Sequence, residues 1–196
     1  IKLIRSVSGA RKYLEKLAKA GKPVAYDVET DGINPMTANL RCVGFANNDM
    51  AVVVPLLSID GETKFFDGAD DKKVRGMLRD FLVNPPVPLL GHNAGQYDRL
   101  NIEAQLGVTP KLAADTLLLH LLADNEMPHN LGFVGSFYTD FTETWKADHT
   151  ATQARTDLDL HLYCATDCCV TARATTPLVR EVKRRNQTHL IEREHL

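Results

Sequence analysis

Residues 24–30, VAYDVET, with the turn-forming stretch DGINP at 31–35, decide the fold of this 196-residue chain. VAYDV is a short apolar run of strand type, entered from Pro23 and closed by the turn signals Asp31-Gly32 and Asn34-Pro35. Two more apolar runs follow, LRCVGFAN at 40–47 and MAVVVPL at 50–56, joined through Asn47-Asn48-Asp49. Together they predict an antiparallel three-stranded start. Working outward, VPLLGHN at 87–93 reads as a fourth strand. Apolar residues at Val74, Met77, Leu78, Phe81 and Leu82 predict a helix over 71–83, stopped by Pro85 and Pro86. Before the first strand, Ser6 or Ser8 can cap a helix through ARKYLEKLAKA (10–20), with Leu14 and Leu17 on one face and Gly21 at its end. Further helices are expected at about 96–106, at about 115–124 with Asp115 as its cap, in LGFVGSFY at 131–138, and from Asp157 to Thr175. Thr176-Pro177 reads as the cap and first-turn proline of a separate last helix. Strands early, helices late and a helix between strands predict a single α/β layered domain, with no internal repeat.

Composition narrows the function classes. Hydrophobic residues make up 44% and charged residues 24%, as in ordinary globular domains. The sequence has no apolar run of the roughly 20 residues a membrane span needs, and no signal-peptide pattern opens it. The formal net charge of −2 argues against nucleic-acid binding through bulk positive charge. It leaves room for an enzyme that meets a few phosphates through metal ions. Cys42, Cys164, Cys168 and Cys169 lack the spacing of a metal-binding or disulfide framework and are expected as reduced thiols in a reducing compartment. The chain opens on Ile1 rather than Met, which suggests a segment of something larger.

Three small clusters carry chemistry. Asp27-Val28-Glu29 ends the first strand with two carboxylates on one face, since residues i and i+2 point the same way. Two such acids repel and resist desolvation unless a cation lies between them; the alternative is a solvated strand end. Asn93-Ala94-Gly95-Gln96-Tyr97-Asp98 sits where the fourth strand gives way to a helix, the edge where α/β folds collect ligands. It also suits a helix start in which Asn93 or Asp98 satisfies backbone N–H groups. Tyr163 and Asp167 are four apart in a helical stretch and share a face, as a buried hydrogen-bonded pair or as part of a site.

Taken in order, Asp-x-Glu, Asn-x3-Tyr-Asp and Tyr-x3-Asp resemble the three motifs of the DEDD 3′–5′ exonucleases across residues 22–175. Tyr163 four residues before Asp167, and Leu162 where another branch has His, resemble the tyrosine branch. DVETDGI at 27–33, Asp115-Thr116 and His129-Asn130-Leu131 are similar to the proofreading domains of family A DNA polymerases, particularly phage-like ones. The resemblance implies a ribonuclease H-like fold, a central mixed sheet flanked by helices. It also implies hydrolysis of phosphodiesters from the 3′ end of DNA with two divalent ions, Mg²⁺ or Mn²⁺. Asp27, Glu29, Asp98 and Asp167 would hold the metals, and Tyr163 would orient the attacking water. Thr30, Ile33, Asn93 and Tyr97 are the candidates near the terminal nucleotides, with Ile33 as a wedge between bases and Tyr97 equally readable as core.

The partner implied is a single-stranded or frayed 3′ end, with a polymerase domain possible in cis beyond a C-terminal helix over 176–196. The implied setting is the cytoplasm of a bacterial or phage-infected cell, with an organelle as the alternative. RNA as substrate, as in ribonuclease D-like enzymes, and a silent nucleic-acid-binding module are the alternatives. No histidine is expected as a metal ligand. The basic residues Arg180, Lys183, Arg184 and Arg185 suit a solvated helix face better than a strand-tracking patch. Trp145 is expected either to cover a groove or to anchor its own loop.

Overall fold

The computed structural model describes residues 1–141 and 154–193. Six strands form one mixed sheet: β1 (Lys2–Leu3), β2 (Val24–Thr30), β3 (Leu40–Ala46), β4 (Ala51–Pro55), β5 (Leu89–Gly91) and β6 (Leu112–Asp115). Their order is β1-β4-β3-β2-β5-β6. β2, β3 and β4 form the expected antiparallel meander. β5 joins β2 in parallel, β6 joins β5 in parallel and β1 joins β4 in parallel. β2 therefore lies inside the sheet, with its C-terminal end beside the end of β5 where the chain turns into a helix.

The helices are α1 (Val7–Lys19), α2 (Gly68–Val83), α3 (Asp98–Leu106), α4 (Thr116–Ala123), α5 (Leu131–Tyr138), α6 (Asp157–Arg184) and α7 (Thr188–Arg193). Strand alternation sorts them onto two faces. Val24, Tyr26 and Val28 of β2, with Val43 and Phe45 of β3 and Val52 and Val54 of β4, pack against Leu14 and Leu17 of α1, Leu78 and Leu82 of α2 and Ile102 of α3. The opposite face carries Cys42, Ala46, Ala51 and Val53, which pack on Cys164, Ala165 and Cys168 of α6. Ala25 on that face packs with Leu90 and Ala172. Asp27 and Glu29 alternate in step with Ala25 and so face α6.

Two local details set how closely α6 approaches. Gly44 has no Cβ where one would lie 2.6 Å from Cys164 Sγ and 2.8 Å from Cys168 Sγ, so the helix rides directly on β3. At its N-terminus α6 is closed by a capping box: Thr156 accepts from the Asp159 N–H, and the Asp159 carboxylate accepts from the Thr156 N–H.

The structure corrects the expected break at Thr176-Pro177. One 28-residue helix runs from Asp157 to Arg184 with Pro177 inside it, and the separate short helix after it is α7. Pro177 removes one backbone donor from the carbonyl of Arg173, an exposed residue where water can take its place. Ala174, Leu178 and Val182 form a continuous buried stripe across the proline, packed on Leu119 and Ala123 of α4 and Val134 of α5. That packing outweighs the local cap signal. Two elements were not anticipated, β1 and β6; both are short, and β6 alternates only weakly between half-buried and exposed positions. No helix among the described residues is long and apolar enough to cross a membrane.

Candidate active site

Asp27 and Glu29 stand side by side on the α6 face of β2. Across from them α6 presents Tyr163 and Asp167, one turn apart. Asp98, the first residue of α3, reaches the same place from the end of β5: its Oδ1 accepts the backbone N–H of Val28 at 2.9 Å. These five side chains line one cavity of about 590 Å³, with His92, Asn93, Tyr97, Leu117, His129, Asn130 and Leu131 completing the wall. Three sequence clusters spread over 140 positions thus converge on one face of the sheet, as their side-chain periodicities require.

The turn between β5 and α3 is built for its position. Asn93 adopts a left-handed backbone, φ 56°, which asparagine tolerates better than most residues. Buried Asp115 holds the turn: its Oδ1 accepts the Asn93 N–H and its Oδ2 the Ala94 N–H, both at 2.9 Å. The same carboxylate caps α4 through the Leu117 N–H at 2.9 Å. Gly91 is required because a Cβ there would collide with the Ala94 Cβ. The sequence identified Asp115 only as a helix cap; its clamp on the turn was not legible, since nothing local marks a contact 21 and 22 residues away.

Electrostatics make the cavity unfavourable for four bare carboxylates. Burial pushes the Asp27 carboxyl well above the usual carboxylate range, reinforced by the neighbouring Cys164, Asp98, Glu29 and Asp167. Burial also raises Asp98 to about 8, against the opposing hydrogen bond from the Val28 N–H. Asp27 Oδ2 is buried and has no hydrogen-bond partner. A buried carboxylate oxygen without a donor costs free energy that a divalent cation would remove. Ligand atoms of Asp27, Glu29 and Cys164 all lie within 4.8 Å of one another. The Cys164 Sγ points to the Asp27 backbone carbonyl at 3.7 Å and belongs to the thiol-rich contact with Cys42 and Cys168. The carboxylate oxygens are therefore the donors that face the cavity, a hard set suited to Mg²⁺ or Mn²⁺.

The four substrate-side candidates divide. Asn93 and Tyr97 line the cavity; Thr30 and Ile33 do not. The Thr30 and Tyr97 hydroxyls lie 2.5 Å apart and both reach the Gly32 carbonyl, at 2.7 and 3.1 Å. They lock the end of β2 to α3. Ile33 stands 88% exposed on the loop after β2. Of the histidines, His92 and His129 line the cavity, and none belongs to a cluster of metal-ligating geometry among the described residues. Arg184 and Arg185 turn to Glu181, at 2.6 and 2.9 Å, as a solvated helix face does. All four cysteines are unpaired thiols, three of them buried. Trp145 and His149 lie outside the described residues.

A family model described as a 3′–5′ exonuclease, of the DNA polymerase A type, matches residues 1–183. The chain belongs to this 3′–5′ exonuclease family. It is 29% identical over 199 residues to a DNA polymerase I from Synechocystis sp., covering 92% of this chain and 19% of that protein. The chain thus spans about a fifth of this relative's length. Solved structures with the same ribonuclease H-like fold include the catalytic core of RRP6 from Trypanosoma brucei, with a TM-score of 0.72 at 14% identity over 99% of this chain and 50% of that one. Brucella melitensis NrnC with bound Mg²⁺ gives 0.68 at 18% identity, covering 99% of this chain and 85% of that one. Escherichia coli RNase D, an exoribonuclease, gives 0.68 at 16% identity, covering 99% and 50%. The enzyme class is that of a 3′–5′ exonuclease domain, as the motif order implied.

Proposed function

We propose that this exonuclease domain removes nucleotides from the 3′ end of DNA, with Asp27, Glu29, Asp98 and Asp167 holding two Mg²⁺ ions and Tyr163 acting beside them. The observation that carries the reading is the convergence of four carboxylates on one cavity, with the buried Asp27 Oδ2 among them lacking a hydrogen-bond donor. The bound ions would supply nucleophile activation and charge relief on the leaving oxygen. The chain's own residues supply the geometry. Asp27 and Glu29 are fixed by a strand interior to the sheet, and Asp167 by a long helix pressed onto that sheet at Gly44. Asp98 is anchored through Oδ1 by the Val28 N–H, on the wall of the cavity beside Asp27 and Glu29. The Tyr163 hydroxyl would orient the attacking water. Asn93 and Tyr97 face the terminal nucleotide, and exposed Ile33 wedges between the last two bases.

DNA is favoured over RNA by the polymerase-type family and by the Synechocystis relative, whose name is that of a DNA polymerase. The same support favours proofreading beside a polymerase domain in cis, and the four unpaired thiols suit work in the reducing cytoplasm. The second reading is RNA, because RNase D and RRP6 share the fold. The test is a side-by-side degradation of 5′-labelled DNA and RNA strands of one sequence in Mg²⁺. A DNA rate several-fold above the RNA rate is the expected result. Faster RNA shortening assigns the domain to RNA processing, and no shortening of either strand rejects catalysis.

A further inference from the structure

Among the described residues that line the cavity there is no lysine or arginine. A polyanionic strand must then be held beyond its scissile end by something other than ion pairs with the wall. One feature leads out of the cavity. His129, on the wall, is joined Nδ1 to Nδ1 at 2.7 Å with His120. The two rings meet edge to face, with centroids 4.9 Å apart. His120 is buried, 1% exposed, and its ring lies 5.9 Å from Phe133. Phe133 is stacked on Phe137, centroids 6.0 Å apart and planes 13° from parallel. Phe137 is 68% exposed. The file thus begins at the cavity wall, is fixed in its middle by a buried imidazole, and ends at Phe137, a mostly exposed ring whose other ring contact is edge to face with Tyr138, centroids 5.1 Å apart.

Helix position produces this. Asn130 caps α5 by accepting the Phe133 N–H at 2.9 Å, and Leu131 starts the helix at the cavity. Phe133 and Phe137 follow at i and i+4 on one face, so the ring pair continues outward from the residues that close the site. An exposed aromatic face near a nucleic-acid site offers a stacking surface to any base, without regard to sequence.

We propose that Phe137, backed by Phe133, is a stacking platform for a base of the substrate strand upstream of the nucleotide being removed. The proposal rests on the exonuclease reading above and adds a binding contact outside the catalytic cavity. It makes binding length-dependent: a dinucleotide ends inside the cavity, whereas a longer strand lays a base on Phe137.

The test compares KM and kcat for 5′-labelled DNA strands from two to ten nucleotides, in Mg²⁺, for the wild type, Phe137→Ala, Phe137→Leu and Phe137→Trp. Stacking predicts that Phe137→Ala raises KM for ten-nucleotide strands about tenfold, with an effect that shrinks as the strand shortens. Phe137→Trp restores the low KM and Phe137→Leu does not. Equal KM in Phe137→Ala and the wild type at every length overturns the platform while leaving the exonuclease reading intact. A Phe137→Leu variant as good as the wild type overturns it too, because apolar bulk then suffices. A wild type inert on every strand overturns the exonuclease reading and the platform with it. Thermal melting of each variant detects any loss of fold.

Discussion

The backbone N–H of Val28 donates to Asp98 Oδ1 at 2.9 Å, tying the carboxylate pair of β2 to the first residue of α3 across 70 positions of sequence. On the proposed reading Asp98 has two separable tasks, accepting this hydrogen bond and supplying negative charge to a cation. Asp98→Asn keeps an acceptor oxygen in place and removes the charge. It is expected to melt within about 1 kcal/mol of the wild type yet lose at least about a hundredfold in kcat. Asp98→Ala loses the acceptor as well and should be both inactive and less stable. Paired melting curves and rates separate the two tasks.

Protonation gives a second prediction. Because burial raises Asp98 to about 8, the metal-free fold holds a proton there that the unfolded chain has already released. This contribution to stability is fully present below the ordinary carboxylate pKa of about 4 and is lost as pH rises through about 8. Asp27, raised in the same direction, adds to the trend. Metal-free Tm should therefore fall on this account from pH 5 to pH 9. A divalent cation displaces those protons, so the Tm gain from Mg²⁺ should widen over the same range. Thermal melts with EDTA and with Mg²⁺ across the pH series check both slopes.

Packing at Gly44 gives a third. A methyl group there would meet two cysteine sulfurs of α6 at 2.6 and 2.8 Å. Gly44→Ala is expected to destabilise by about 1–3 kcal/mol and to lower activity, since Tyr163 and Asp167 ride on the displaced helix. Adding Cys164→Ala should recover part of both losses, measured by denaturant melts and initial rates.

Much of this was legible in the sequence, for physical reasons that differ by element. β2, β3 and β4 declared themselves because dense apolar runs were bounded by turn residues. α5 matched its expected bounds, 131–138, because a run of apolar and small residues follows the Asn130 cap. Asp27 with Glu29 and Tyr163 with Asp167 could be placed on shared faces by periodicity alone. What stayed hidden depends on distant contacts. β6 is four residues pairing with β5, and Pro177 is absorbed into α6 by packing against α4 and α5. His129, Asn130 and Leu131 are recognisable as a motif in the sequence, but their place on the cavity wall follows from the tertiary fold.

Asp115 shows how such a contact can be tested. Its carboxylate accepts three backbone N–H groups, those of Asn93, Ala94 and Leu117. Asp115→Ala leaves these donors without their acceptor, at a cost of at least about 2 kcal/mol. It should also loosen the turn that delivers Asp98. A fall in apparent Mg²⁺ affinity, read from the Mg²⁺ dependence of the rate, is the expected signature.

The central claim is that four carboxylates and Tyr163 make one metal-dependent site that shortens strands from the 3′ end. The most direct measurement is a time course on a 5′-labelled single-stranded DNA in Mg²⁺, beside EDTA and beside Asp27→Asn. The account predicts a ladder of labelled products shortening one nucleotide at a time, absent in EDTA and in the variant. A ladder that persists in Asp27→Asn, or release of the labelled terminal nucleotide as the first product, would contradict it.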